Sequence, residues 1–263
     1  MSMTMNTPIR AVLTLLLLLA GWQAVVWLSQ AAPYILPGPL LVAKSLVGHF
    51  GLILRHAGIT VVEILLGLVF GTLLGAGGAL ALSWFPAARR WLLPLLVVAQ
   101  AIPVFALAPI LVLWLGYGLG SKVAMATLII FFPVTASFLD GLRRTEPGWL
   151  DLARTMTAGH GAAHWAELRH IRLPAALPAL ASGLRVATAV APIGAVVGEW
   201  VGSSAGLGYL MLHANGRMQI DLMFAALFVL AIIAVALFFT VDRLLRRLLP
   251  WQPDSLPNEE GDR

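Results

Sequence analysis

The sequence contains no cysteine, and only 11% of its 263 residues are charged. The first absence excludes disulfides, thiolate metal sites and thiol nucleophiles. The second excludes an ordinary soluble domain, in which about a quarter of the residues carry charge. No G-x-x-x-x-G-K-[ST] loop is present, so the chain does not hydrolyse ATP by itself. The six histidines form no H-E-x-x-H pattern. His160 and His164 have helical spacing, but Gly161 between them works against a metal-binding helix. "GSSAG" at Gly202–Gly206 lacks the strand–turn–helix context of a hydrolase nucleophile. No catalytic residue, metal or cofactor is therefore expected in this chain.

What is abundant is apolar surface: 60% of residues are hydrophobic, and the mean hydropathy is +0.90. Runs of about 20 apolar residues are long enough to cross a bilayer. Six are read here, at Ala11–Leu28, Ile64–Leu82, Leu92–Tyr117, Val123–Leu139, Ala175–Gly198 and Leu222–Val241. The first has the basic start and apolar core of a signal peptide, but its core is long and the rest of the chain is equally apolar, so a retained anchor is expected. The segment from Ala32 to Leu54 is interrupted by Pro33, Pro37, Pro39, Lys44 and His49, and reads as an external stretch with one amphipathic helix lying on the membrane. The fold class is thus an all-α integral membrane protein of about six transmembrane helices.

Net charge is +5, but the basic residues are scattered between apolar runs. That pattern suits loops facing anionic lipid and gives no reason to invoke nucleic acid. With the N-terminus inside, twelve arginines fall in cytoplasmic segments, against Lys44, Arg55, Lys122 and Arg217 outside. This asymmetry follows the positive-inside rule and predicts both termini cytoplasmic.

Single residues carry open alternatives. Glu199, at the outer end of the fifth span, is either a pathway carboxylate or a structural one fastening the Gly202–Gly208 turn. Glu63 is expected to open the second span and reach water. Arg185 lies about 16 Å along a helix from Pro174. Either that helix starts outside the membrane, or Arg185 lines a pathway or pairs with a carboxylate. Gln100 is the strongly polar residue in the inner half of the third span and is placed near a translocation path. Gly67, Gly71 and Gly75 repeat every four residues and clear one face of the second span for close packing. Prolines inside the third, fourth and fifth spans break backbone bonds at membrane depth, which packed helices or water-lined cavities must satisfy.

The longest internal cytoplasmic loop is Gly141–Leu173. Pro147 is placed to start a helix through "GWLDLARTM", with Leu150, Leu152 and Met156 on one face. A glycine-containing turn follows, and then a second short helix, "HWAELRHI", exposing Trp165, Leu168 and Ile171. Leu173-Pro174 is expected to stop it, because proline lacks an amide donor and disfavours helix in the preceding residue. Two readings fit: a basic loop on lipid headgroups, or a docking knob for a soluble partner.

The spacing from Gly161 through nine residues to Ile171-Arg172-Leu173-Pro174 resembles the coupling motif of binding-protein-dependent ABC import permeases. Thr155-Met156-Thr157 departs from that motif's usual Glu-Ala-Ala start. "QAIPVFALAPILVLWLGYG" and "GEWVGSSAGLGYLM" are similar to further signatures of the nitrate, sulfonate and taurine permease group. Gly206–Ala231 looks most like permeases for thiamine pyrimidine precursors of the hydroxymethylpyrimidine type.

The resemblance implies a type I importer permease in the bacterial inner membrane, working as a homodimer by alternating access. Cytoplasmic ATPase subunits would bind ATP and Mg, and a periplasmic substrate-binding protein would deliver the solute. It implies ATPase coupling through Gly161, Trp165, Leu168, Arg169, Ile171, Leu173 and Pro174, with Gln100, Arg185 and Glu199 as pathway candidates. The organisation expected is an N-terminal helix and external segment over 1–55, a permease core over 56–245 containing the 141–173 coupling loop, and a tail over 246–263. The same importer class acting on sulfonate, taurine or nitrate is the alternative substrate reading. An ion-coupled secondary carrier is the alternative class, but its internal inverted repeat is not evident.

Overall fold

The structure is a computed structural model that describes residues 7–156 and 163–251. Among the described residues every regular element is helical: α1 (Thr7–Ser29), α2 (Pro39–Gly48), α3 (Phe50–Trp84), α4 (Pro86–Ala101), α5 (Val104–Leu115), α6 (Leu119–Arg143), α7 (Pro147–Met156), α8 (Ala163–Glu167), α9 (Leu173–Gly202), α10 (Leu207–Gly216) and α11 (Ile220–Leu248), with a π-helical turn at Leu168–Arg172 joining α8 to α9.

Five helical stretches are long and apolar enough to cross a membrane: Val12–Ser29, Phe50–Trp84, Leu119–Arg143, Trp165–Gly202 and Ile220–Leu248. Leucine, valine and phenylalanine side chains stand exposed along these helices, as lipid-facing surface requires. On α1, Leu15 to Leu19 are all outward.

The structure differs from the sequence reading in three places. The expected third span is two shorter helices, α4 and α5, separated at Ile102-Pro103. Pro103 lacks an amide donor and disfavours helix at Ile102, and the apolar run is broken there. The second span begins at Phe50 rather than Ile64, since nothing between His49 and Ile64 breaks a helix. At 35 residues α3 is about 52 Å long and exceeds the hydrocarbon thickness of about 30 Å. Finally, Leu173-Pro174 does not stop a helix. The Leu173 amide donates to the Leu168 carbonyl, five residues back, and this wider turn carries the chain through Pro174 into α9. A π turn shifts the backbone register where proline would otherwise clash with the carbonyl four residues earlier.

The chain divides into two compact units. One contains the described residues up to Thr60 together with Ser204–Ile232. In it Trp22 of α1 stacks on Phe224 of α11, with ring centroids 6.0 Å apart. The other contains Val61–Ser203 and the described residues from Ile233 onward. Its core joins α3, α6 and α9 through Ile64, Leu68, Ala126, Ile130, Val134, Ala187, Ala191 and Ala195. The Gly67, Gly71 and Gly75 stripe makes that packing possible. A Cβ on Gly71 would lie 2.5 Å from Ile130 Cγ2, and one on Gly75 would lie 2.9 Å from the Phe131 carbonyl. The alanines of α9 play the same part on the opposing side, and Gly194 brings that helix against the backbone of Ala126.

Candidate functional site

The candidate coupling surface is built on α7, α8 and the π turn. Leu168, only 9% exposed, packs into a cluster with Ala79, Leu82, Phe138, Leu139, Leu142 and Ala176. It therefore roots the segment in the chain's own helices and does not stand out as an anchor for a partner. Glu167 is also buried and holds Arg172 through both Nε (2.7 Å) and a terminal guanidinium nitrogen (2.6 Å). This fork spans the π turn and fixes its geometry.

Trp165 remains 54% exposed and meets Trp84 edge-on, at 6.0 Å between centroids. Arg169 and Pro174 are exposed, whereas Ile171 and Leu173 are half-buried. Gly161 lies outside the described residues. Beside Trp165 is a cavity of about 500 Å³ lined by Leu80, Trp84, Phe85, Leu168, Arg169 and Leu173. A second, of about 550 Å³, opens between the end of α6, Trp149 of α7 and the start of α9.

The expected apolar face of α7, Leu150, Leu152 and Met156, is changed at one position: Trp149, Leu152 and Met156 form the exposed stripe, Leu150 is half-buried and Ala153 faces inward. Their spacing of three and four is helical, and the signal lay in "GWLDLARTM". Trp149 Nε1 donates to Glu146 Oε2 at 3.0 Å, which sets the orientation of the ring. The exposed apolar surface of this segment is therefore Trp149, Leu152, Met156 and Trp165, edged by Arg144 and Arg169.

A cluster of buried charge, Glu63, Lys122 and Glu199, lies between α3, α6 and α9 of the larger unit. Glu63 is 0% exposed, Glu199 1% and Lys122 7%. Lys122 Nζ lies 3.2 Å from Glu63 Oε1, and the Glu63 and Glu199 side chains interact. Two expectations are corrected here. Glu63 does not reach water, because α3 begins more than three turns before it. Lys122 is not an external loop charge, because α6 starts at Leu119 and carries it inward. The two carboxyls and one ammonium pin α3, α6 and α9 together where Gly198 lets Lys122 pass close to α9.

In the smaller unit, Gly206 (φ 113°) ends the turn before α10. Its amide donates to His56 Nδ1 at 2.9 Å, and the Leu207 amide donates to Thr60 Oγ1 at 2.8 Å. These two side chains satisfy amides at the start of α10, and neither was singled out from sequence. Tyr209 stacks on His56 at 5.9 Å between centroids and meets the His213 ring at a tilt, 4.2 Å away.

Arg185 pairs with Asp242, Nε to Oδ1 at 2.6 Å, and Arg246 takes Oδ2 at 2.9 Å. Of the alternatives open for Arg185, the structure realises pairing with a carboxylate. The Gln100 side chain lies outside what the structure describes.

The family described as "binding-protein-dependent transport system inner membrane component" matches residues 67–252, which include α6, the candidate coupling surface, α9 and α11. The chain belongs to the binding-protein-dependent ABC transporter permeases. The permease is 55% identical over 232 residues to a probable ABC transporter permease protein of Haemophilus influenzae, covering 88% of this chain and 93% of the relative. It is 38% identical over 221 residues to the formylaminopyrimidine transport permease protein ThiX of Halalkalibacterium halodurans, covering 84% and 87%. Its fold is shared with the inward-facing MetNI methionine ABC transporter at a TM-score of 0.64 and 21% identity, over 76% of this chain and 98% of that one. The permease is thus a multi-pass membrane subunit of a transport system.

Proposed function

We propose that the permease carries a thiamine pyrimidine precursor across the inner membrane, as a homodimer driven by two separate cytoplasmic ATPase subunits. The coupling surface carries this reading. Four exposed apolar side chains stand on short helices whose base, Leu168, is locked into the membrane bundle. A soluble partner gripping Trp149, Leu152, Met156 and Trp165 would move α9 with them, because α8, the π turn and α9 are continuous. Nucleotide-driven closure of the ATPases would so shift the permease between two states. The substrate-binding protein would dock on the opposite side and select the solute.

The substrate class rests on the likeness to ThiX. The test is growth of a strain that cannot make the thiamine pyrimidine, supplied with formylaminopyrimidine or hydroxymethylpyrimidine at limiting concentration. Deleting this permease should abolish growth, and supplying it on a plasmid should restore growth. Loss of growth on taurine, with vitamin uptake intact, would transfer the assignment to the sulfonate class.

A further inference from the structure

We propose that the cleft formed by Arg185, Asp242 and Arg246 binds the headgroup of an anionic phospholipid. From Leu222 to Val241, α11 carries no charged residue, a run of about 30 Å at 1.5 Å per residue. That length equals the hydrocarbon thickness of a bilayer, about 30 Å. Asp242 therefore sits where acyl chain gives way to headgroup. Arg185, paired with it, is held at the same level although it lies well along α9. The first turns of α9 accordingly stand beyond the hydrocarbon.

The cleft encloses about 640 Å³ and is lined by Arg185, Asp242 and Arg246, with Phe238, Phe239 and Leu245 on its apolar side. A neighbouring cavity shares Phe239, Asp242 and Arg246 and adds Arg243. Arg185 and Arg246 both pair with the one carboxylate and Arg243 lines the neighbouring cavity, so among the described residues lining the two cavities three guanidinium groups accompany one carboxylate. Asp242 takes Nε of both Arg185 and Arg246, which fixes the two guanidinium planes beside the cavity. Fixed, forked donors suit a phosphodiester. Below them, Val235 and Phe239 are exposed on one face of α11, one turn apart, where an acyl chain would lie. A phosphate next to an apolar track describes a lipid better than a free anion. A zwitterionic lipid would bring its own ammonium into an already cationic cleft.

The test uses the full-length chain purified from membranes in neutral detergent and titrated with phosphatidylglycerol or phosphatidylcholine, with bound lipid counted by native mass spectrometry. Phosphatidylglycerol should bind at least about fivefold tighter, as expected per arginine at a charged lipid surface. The Arg243→Gln/Arg246→Gln variant should lose that preference, and Arg217→Gln should keep it. Equal binding of the two lipids by the unaltered protein would overturn the proposal whether or not the variants fold. Displacement of phosphatidylglycerol by millimolar inorganic phosphate would overturn it in favour of a free-anion site.

Discussion

Replacing Lys122 with methionine keeps the length of the side chain and removes its charge. In the native chain the ammonium lies 3.2 Å from Glu63, and Glu63 contacts Glu199. All three residues are at least nine-tenths buried. Removing one partner of a buried ion pair costs about 3–5 kcal/mol, because the remaining charge stays desolvated. Here two carboxyls would share the loss, so Lys122→Met should fall at the upper end of that range. Glu63→Gln keeps the side chain's size and its hydrogen-bonding oxygen and should cost less. The double variant Glu63→Gln/Lys122→Met should be more stable than the sum of the single effects by about 1–3 kcal/mol, the size of coupling found for contacting residues. The assay is thermal or denaturant unfolding of the purified permease in detergent, followed by tryptophan fluorescence. A Lys122→Met protein less than about 1 kcal/mol below wild type, or strict additivity in the double variant, would refute a shared buried cluster.

Two further outcomes follow from the packing and the charge pattern. Gly71→Leu should destabilise the α3–α6 contact by about 1–3 kcal/mol or more, since its Cβ alone meets Ile130 at 2.5 Å and the rest of the side chain overpacks a closed interface; the yield of folded protein on size exclusion reads this directly. Because the chain has no cysteine, single cysteines at Met156 and Ser204, both exposed, should react with a membrane-impermeant thiol reagent from opposite sides. Labelling of both from outside intact cells would contradict the arginine asymmetry.

The parts legible in the sequence are those governed by local periodicity. Apolar runs located five of the six expected spans, and the four-residue glycine spacing marked the face of α3 that packs closely, though not its partner α6. "GWLDLARTM" gave α7 with its start at Pro147. What escaped depends on partners far apart in the chain or on backbone register. Lys122 and Glu63 are 59 positions apart, so each read as a charge heading for water. Arg185 and Asp242 are 57 apart, so local periodicity does not join them. Pro174 reads as a stop because proline breaks an ordinary α-helix, and a π turn is not encoded in composition. Leu168 fits the spacing of an exposed face, but the wider turn rotates it onto α3 and α6.

The central claim is that α7 and α8 hand the energy of ATP to the membrane helices, and one variant tests it directly. Leu152→Asp/Trp165→Ala removes two exposed apolar contacts and leaves Leu168 at the base of the segment untouched. Interface anchors of this kind contribute about 2 kcal/mol each, so the pair should weaken ATPase binding on the order of a thousandfold. The measurement is ATP-driven uptake in proteoliposomes containing permease and ATPase, with co-purification of the two subunits scored alongside. The account predicts that both are lost while the permease inserts and unfolds like wild type. Wild-type uptake and co-purification in this variant, with losses instead in Arg169→Ala or Arg144→Ala, would contradict it.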